Sequence, residues 1–153
     1  MVDENGHFIP PFTTFGDLYR QAAEHQNRPP FNLTKSWRDR QKRLDPQTKF
    51  NFVATADSSG GSSGSPAVNE AGELVGIVFD NNIQSLAWDF RYDDRQGRTV
   101  CVDSAAILES LDRVYNATAL LDEVSGGPVA GHYTASGTEP NGYASDFPTS
   151  LKR

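Results

Sequence analysis

A turn rich in glycine and serine, from Gly60 to Pro66, constrains the fold of this chain more than any other feature. Segments with the composition of β-strands flank it: residues 50–55 come before, and residues 67–68 and 74–79 follow. A flexible surface turn is one explanation, since short glycine-rich runs commonly form one. Apolar and β-branched segments so close on both sides instead favour a turn held between strands.

The same turn has the residue types that a serine nucleophile requires. Glycine permits backbone conformations that other residues avoid, so amide groups in the turn can point together at a developing oxyanion. Ser63, which lies between the glycines, is therefore the candidate nucleophile. The amides of Gly61 and Ser63 are the candidate oxyanion hole.

Residues 52–80 resemble the nucleophile region of the S46 family of bacterial serine exopeptidases, the dipeptidyl peptidases typified by types 7 and 11. That family carries Thr-x-Asp-x-Thr-Gly-Gly-Asn-Ser-Gly-Ser-Pro, and then a Gly-Glu-Leu-x-Gly strand that ends in Phe-Asp-x-Asn. The matching residues here are Thr55, Asp57, Gly60, Gly61, Ser63, Gly64, Ser65, Pro66, Gly72, Glu73, Leu74, Gly76, Phe79, Asp80 and Asn82. Ser59 and Ser62 replace the family's Thr and Asn; both are small and polar, so we expect the turn to be kept.

The resemblance implies roles for two residues that directly follow the strand predicted over residues 74–79. Asp80 matches the carboxylate that holds the substrate's free α-amino group, which a charge-assisted hydrogen bond would favour; a turn residue at a strand end is the alternative. Asn81 matches the position that varies with the substrate's P1 side chain. The family has Gly there for apolar side chains and Arg for acidic ones. An uncharged amide argues against a strong demand for acidic side chains.

The resemblance also implies a fold class, mainly β with a C-terminal helix. It corresponds to the second barrel alone of a chymotrypsin-like double β-barrel. We expect residues 1–48 to be a lead-in with short helices, residues 49–124 to form the barrel half with the nucleophile turn and its closing helix, and residues 125–153 to be a disordered tail. The tail is rich in Gly, Ser, Thr, Pro and Asn and has few large aliphatic residues.

Local patterns predict the individual elements. Thr14 is expected to cap a helix over residues 17–25, and residues 36–44 are a second helical candidate that ends before Asp45-Pro46. Residues 83–92 are predicted to be a strand or the loop that enters one, and to form a hairpin with residues 98–102 around a polar turn. Asp103 or Ser104 then caps a helix whose apolar stripe recurs at helical spacing: Ile107, Leu108, Leu111, Val114 and Tyr115.

Catalysis by a serine also requires a base and an acid that orients it. The histidines are His7, His25 and His132, and none lies in a motif similar to the family's base. Asp57 is expected to be a structural carboxylate of the loop. In the family, the catalytic His and Asp belong to the N-terminal part of a longer chain. We therefore expect a C-terminal fragment that is inactive alone, from a parent enzyme that releases dipeptides from free N-termini through an acyl-enzyme.

Two other functions fit the same residues. One is a non-catalytic β-barrel interaction module derived from a peptidase. The other is an ordinary chymotrypsin-like endopeptidase, which would not need Asp80 to hold a terminal ammonium.

Composition excludes several further classes. The formal net charge of −6 argues against a nucleic-acid partner. No apolar run approaches the ~20 residues of a membrane span, and the N-terminus lacks the features of a signal peptide. The single cysteine, Cys101, excludes an internal disulfide and is expected to be a small buried residue. No metal or cofactor is expected. The resemblance implies a periplasmic, cell-surface or secreted location, and homodimers.

Overall fold

The computed structural model describes residues 9–126, which form one five-stranded antiparallel sheet flanked by helices. The strands are β1 (Phe12–Thr14), β2 (Lys49–Ala54), β3 (Pro66–Val68), β4 (Leu74–Asn81) and β5 (Thr99–Asp103). The helices are α1 (Phe15–Glu24), α2 (Lys35–Arg40), α3 (Ser104–Glu109) and α4 (Thr118–Val124), with 3₁₀ helices at Gln41–Arg43 and Ile83–Asp89. The strand order is β1-β2-β5-β4-β3. The prediction of a mainly β chain with helices is confirmed. The tail from residue 127 lies outside the described residues.

The predicted cap at Thr14 is confirmed, and it joins β1 directly to α1. The Asp17 amide donates to the Thr14 hydroxyl (3.2 Å), and the Thr14 amide donates to the Asp17 carboxylate (2.9 Å). These two bonds form a capping box, which satisfies two amides that a helix start leaves without partners. The helix starts at Phe15 because the residue after an N-cap is the first helical residue.

The buried core lies where the segments before residue 49 meet α3 and the turn that follows it. It consists of Phe15, Leu44, Ala106 and Val114, with Leu18, Tyr19, Trp37 and Phe50 packed against it. The Phe15 ring is 5.4 Å from that of Phe50 and 5.9 Å from that of Trp37, measured between centroids. The Glu109 carboxylate accepts hydrogen bonds from the Asp45 amide (2.6 Å) and the Thr48 hydroxyl (2.5 Å). These bonds connect the end of the lead-in, residues 1–48, to α3. The lead-in therefore shares one core with the last helices.

The predicted helix after β5 is present, and Asp103 is its cap, because its carboxylate accepts a hydrogen bond from the Ala105 amide (2.9 Å). Only part of the predicted apolar stripe is buried: Val114 is fully buried, whereas Leu108 and Tyr115 are exposed. The helix widens to a π turn over Ser110–Val114, in which the Tyr115 amide donates to the Ser110 carbonyl. A wider turn breaks the spacing on which the stripe was based.

The predicted hairpin of residues 83–92 with residues 98–102 is wrong. β5 pairs with β2 and β4, and Ile83–Asp89 is a 3₁₀ helix. Trp88 anchors this segment, since its indole donates to the Asp93 carbonyl (2.9 Å). The Trp88 ring also lies so close to Gly97 that a Cβ there would be 2.5 Å from it. Trp88 thus holds together a compact loop, in which the Tyr92 ring packs against it with 5.1 Å between centroids.

Two further findings concern the described residues as a whole. None of the helices between residues 9 and 126 has the length and apolarity needed to cross a bilayer. Cys101 is buried, as predicted, and burial raises the pKa of its thiol. A raised pKa keeps the thiol protonated and lowers its reactivity, which fits a packing role.

Candidate active site

A cleft of about 520 Å³ lies between the glycine-serine turn, the end of β4 and the second 3₁₀ helix. The four residues singled out from sequence all line it: Gly61, Ser63, Asp80 and Asn81. The remaining lining residues are Ser58, Ser59, Gly60, Ser62, Val78, Asn82, Ile83, Ser85, Leu86 and Asp89. The structure therefore brings the predicted site residues together, although they lie up to 20 positions apart in the chain.

The turn is fixed by backbone hydrogen bonds. The Gly64 amide donates to the Val78 carbonyl (2.7 Å), and the Val78 amide donates to the Ser65 carbonyl (2.9 Å). Gly61 and Gly64 have φ angles of 97° and 91°, a region that side chains disfavour. The two glycines thus permit a fold of the loop that β4 then holds in place.

Ser63 is exposed at the cleft, and its hydroxyl donates to the Phe79 carbonyl (3.2 Å). Within residues 9–126, the amides of Gly61 and Ser63 donate to no protein atom. Amides in this state are available to an anionic ligand. The strand register shifts between Val78 and Asp80, next to the atom that Ser63 contacts. Such irregularities are frequent beside active sites.

Asp80 follows the register shift and is exposed at the cleft. One oxygen of its carboxylate accepts a hydrogen bond from the Asn81 amide (2.8 Å). A carboxylate accepts up to about four hydrogen bonds. Asp80 therefore keeps the capacity to bind a cationic group in the cleft.

Asn81 is held by a hydrogen-bonded floor that sequence reasoning missed. The Ser58 hydroxyl donates to the Asn81 side-chain oxygen (2.7 Å), and the Asn81 side-chain nitrogen donates to the Ser58 carbonyl (3.3 Å). Ser58 also contacts the Thr99 hydroxyl, which donates to the Ala56 carbonyl (2.7 Å). Thr99 is almost fully buried and pairs directly with Asn81 across the sheet. The signal that could have identified Thr99 is its pairing with Asn81 on the neighbouring strand. That pairing is known only once the register of the two strands is known.

Asn82, which was matched to the family motif without a role, closes the loop around Trp88. Its side chain accepts from the Arg98 amide (2.7 Å) and donates to the Gln96 carbonyl (2.8 Å). Its backbone amide donates to the Arg98 carbonyl (2.9 Å). This residue therefore fixes the start of the 3₁₀ helix that forms one wall of the cleft.

No histidine that could act as the base for Ser63 is among the residues that line the cleft. His25 stacks on Phe31, with the ring centroids 3.8 Å apart, and does not line the cleft. His7 and His132 lie outside the described residues. Asp57 is exposed and is also not among the lining residues. In residues 9–126, no group of three or more His, Cys, Asp or Glu side chains is placed to hold a metal ion.

Comparison with known proteins gives consistent matches to one family. Residues 2–126 match the family model described as Peptidase S46. Dipeptidyl-peptidase 7 of Capnocytophaga gingivalis is 39% identical over 74 residues, which make up 48% of this chain and 10% of that protein. The Asp/Glu-specific dipeptidyl-peptidase of Porphyromonas gingivalis is also 39% identical over 74 residues, with the same coverage.

Solved structures show a likeness of fold. The crystal structure of Porphyromonas endodontalis DPP11 in complex with substrate matches with a TM-score of 0.70 at 21% identity, covering 81% of this chain and 19% of that one. The complex of the same protein with the dipeptide Arg-Glu matches with a TM-score of 0.68 at 20% identity. The chain thus spans about a tenth of the curated relatives' length and about a fifth of the solved chain.

Proposed function

The chain belongs to the peptidase S46 family, and we propose that it carries the nucleophile region of a serine-type dipeptidyl peptidase. One observation supports this most: a single cleft is lined by Ser63, the Gly61 turn and the carboxylate of Asp80. A nucleophile, amide donors and an anion for a terminal ammonium are the parts that release of a dipeptide requires. The names of the relatives, dipeptidyl-peptidase 7 and Asp/Glu-specific dipeptidyl-peptidase, support the same reaction class.

In the proposed reaction, the Ser63 hydroxyl oxygen attacks the carbonyl carbon of the peptide bond, while a base takes the hydroxyl proton. The amides of Gly61 and Ser63 stabilise the oxyanion of the tetrahedral intermediate. The base returns its proton to the leaving amine, the carbon–nitrogen bond breaks, and a dipeptidyl ester of Ser63 remains. Water then hydrolyses the ester by the same steps. To react, the Ser63 hydroxyl must exchange its bond to Phe79 for one to the base.

Two residues give the reaction its selectivity. Asp80 binds the free α-ammonium of the substrate, so that cleavage falls after the second residue. Asn81 lies at the P1 side chain, which belongs to that second residue. A peptide whose amino group is blocked would leave the Asp80 carboxylate without a counterion, which weakens its binding.

The remaining catalytic groups come from outside the residues that line this cleft. We propose that an N-terminal segment of the S46 type supplies the catalytic His and Asp, and that the chain is inactive without it. In that assembly the sheet forms the second barrel of a chymotrypsin-like double β-barrel. The division at residues 48 and 49 stays a prediction, as do homodimers and a periplasmic or surface location.

Binding of dipeptides to the chain tests the role of Asp80 without turnover. We expect Ala-Leu to bind at least about tenfold more tightly than N-acetyl-Ala-Leu, by titration calorimetry, because a lost charge-assisted hydrogen bond costs about 1.5–3 kcal/mol. Asp80→Asn should remove this difference. Asp57→Asn is the matched control, since Asp57 is exposed near the turn but does not line the cleft. Equal binding of free and acetylated dipeptides would contradict an exopeptidase and favour an endopeptidase.

A further inference from the structure

The second 3₁₀ helix points one row of side chains into the cleft. A 3₁₀ helix has three residues per turn, so side chains three positions apart lie on the same side. Ile83, Leu86 and Asp89 form one such row, and all three line the cleft. Ser85 and Trp88 belong to another row and are buried, and of these two only Ser85 also lines the cleft. The helix is therefore fixed by one side and free on the side that faces the cleft.

Among the exposed large hydrophobic residues of the described chain, only Phe90 is more exposed than the two apolar residues of this row. Ile83 is 75% exposed and Leu86 is 72% exposed. Side chains of this size gain free energy when apolar surface covers them. Since they share a cleft with Ser63 and Asp80, a substrate held by its ammonium brings its nearest side chains beside them.

The polar floor of the cleft, formed by Asn81, Ser58 and Thr99, carries no charge. Both hydrogen-bonding ends of the Asn81 side chain are already engaged with Ser58. The floor therefore favours an uncharged side chain above it, because a carboxylate would find one remaining amide N–H and no cation.

The charges in the cleft have one sign. Its charged lining residues are Asp80 and Asp89, and no Lys, Arg or His is among the residues that line it. In the proposed function, the Asp80 carboxylate pairs with the substrate ammonium. An acidic P1 side chain would then be placed near Asp89 with no cation to offset the repulsion.

We propose that Ile83 and Leu86 form the wall of the P1 subsite, and that the protein accepts dipeptide units whose second residue is aliphatic and rejects those with Asp or Glu. This inference rests on the proposed function and names its substrate class. Sequence identity does not decide the matter, since a dipeptidyl-peptidase 7 and an Asp/Glu-specific dipeptidyl-peptidase are both 39% identical to the chain.

Three dipeptides that differ at the second residue test the inference by titration calorimetry on the full chain. Ala-Leu should bind at least about tenfold more tightly than Ala-Gln, because an apolar wall discriminates between apolar and polar side chains by one to two orders of magnitude. Ala-Glu, which has the size of Ala-Gln and one more negative charge, should bind more weakly still. The Gln dipeptide thus separates the effect of the apolar wall from that of charge.

A charge substitution on the wall supplies the second test. Leu86→Arg should lower the affinity for Ala-Leu at least about tenfold and make Ala-Glu the tighter ligand, because the new cation faces the P1 side chain. Phe90→Arg is the matched control. Phe90 is 93% exposed and directly follows the same helix, but it does not line the cleft. This control should keep the wild-type order of affinities.

The outcomes separate the inference from the proposed function. Binding that needs Asp80 but is equal for Ala-Leu and Ala-Glu overturns the inference alone, and so does an identical effect of Leu86→Arg and Phe90→Arg. No binding of any of these dipeptides to the folded chain overturns the proposed function and the inference with it.

Discussion

The helical core and the cleft are built by different forces. In the core, Phe15, Ala106 and Val114 are at most 1% exposed and are held by packing. In the cleft, Ser63 and Asp80 are exposed, and hydrogen bonds between the turn and β4 fix their positions. Packing sets the stability of the chain, whereas the hydrogen bonds set the geometry of a site that must stay open to a ligand.

This difference separates the effects that substitutions should have. Losing a packed side chain costs the transfer free energy of the removed atoms and the free energy of the cavity left behind. Losing an exposed side chain of the cleft removes chemistry and little stability. Substitutions ordered from core to surface therefore test whether the two regions are as distinct as their burial indicates.

The largest effect is expected for Phe15→Ala. Phe15 is fully buried between Trp37 and Phe50, so its truncation should lower the free energy of unfolding by about 3–5 kcal/mol in urea denaturation. Phe90→Ala, which truncates a 93% exposed ring, should change it by less than about 0.5 kcal/mol. Similar costs for the two variants would contradict the assignment of the core.

A smaller effect is expected for Thr99→Val, which acts where the two regions meet. Thr99 is buried beneath the cleft, and its hydroxyl connects Ser58 with the Ala56 carbonyl. Removing the hydroxyl takes this donor from the Ala56 carbonyl, which should cost about 0.5–1.5 kcal/mol of unfolding free energy. The affinity for Ala-Leu should fall as well, because Ser58 positions Asn81.

Thr13→Val is the matched control for this variant, since Thr13 is an exposed strand residue. It should change neither stability nor affinity. A Thr99→Val variant that loses stability but binds dipeptides with unchanged affinity would show that the floor does not position the site.

The smallest effect is expected at Asp17 and depends on pH. The hydrogen bond from the Arg20 side chain, followed by that from the Thr14 amide, lowers the pKa of Asp17. A lowered pKa in the folded state means that the contribution is complete above the unfolded pKa of about 4 and is lost as the pH falls. Asp17→Asn should cost about 0.5 kcal/mol at pH 7, since the pair is largely exposed, and less near pH 3.

Thermal unfolding of both proteins across pH 3 to 7 measures this difference. Gln21→Asn provides a control for a polar substitution on the same helix at an exposed position. A difference in stability between wild type and Asp17→Asn that grows as the pH falls would contradict a lowered pKa of Asp17 in the folded state.

The parts of the fold that could be predicted are those governed by local chemistry. The Thr14 cap, the strands β2 to β4 around the turn, and the Asp103 cap each follow from neighbouring residues. Residues 83–92 could not be predicted, because their fold depends on Trp88 packing against Gly97, a contact that only the folded chain creates. The π turn after α3 likewise has no local signal.

The residues of the candidate site also fall into a group that could be predicted from the sequence and a group that could not. Ser63, Gly61, Asp80 and Asn81 were named from a motif, and the structure places them in one cleft. The floor of Ser58 and Thr99 and the wall of Ile83 and Leu86 were not named. The floor requires the pairing of Asn81 with Thr99 across two strands, and the wall requires the three-residue period of a helix where a strand or a loop was expected.

Reconstitution of activity tests whether Ser63 is the nucleophile of a dipeptidyl peptidase. The chain is refolded with an N-terminal segment of an S46 relative that carries the catalytic His and Asp, and release of dipeptides from a fluorogenic substrate is measured. We expect activity in the mixture, none in either part alone, and none when Ser63→Ala replaces the wild-type chain. Activity that persists with Ser63→Ala would contradict the role of Ser63 as nucleophile. A folded complex of the two parts that releases no dipeptide would favour a non-catalytic interaction module.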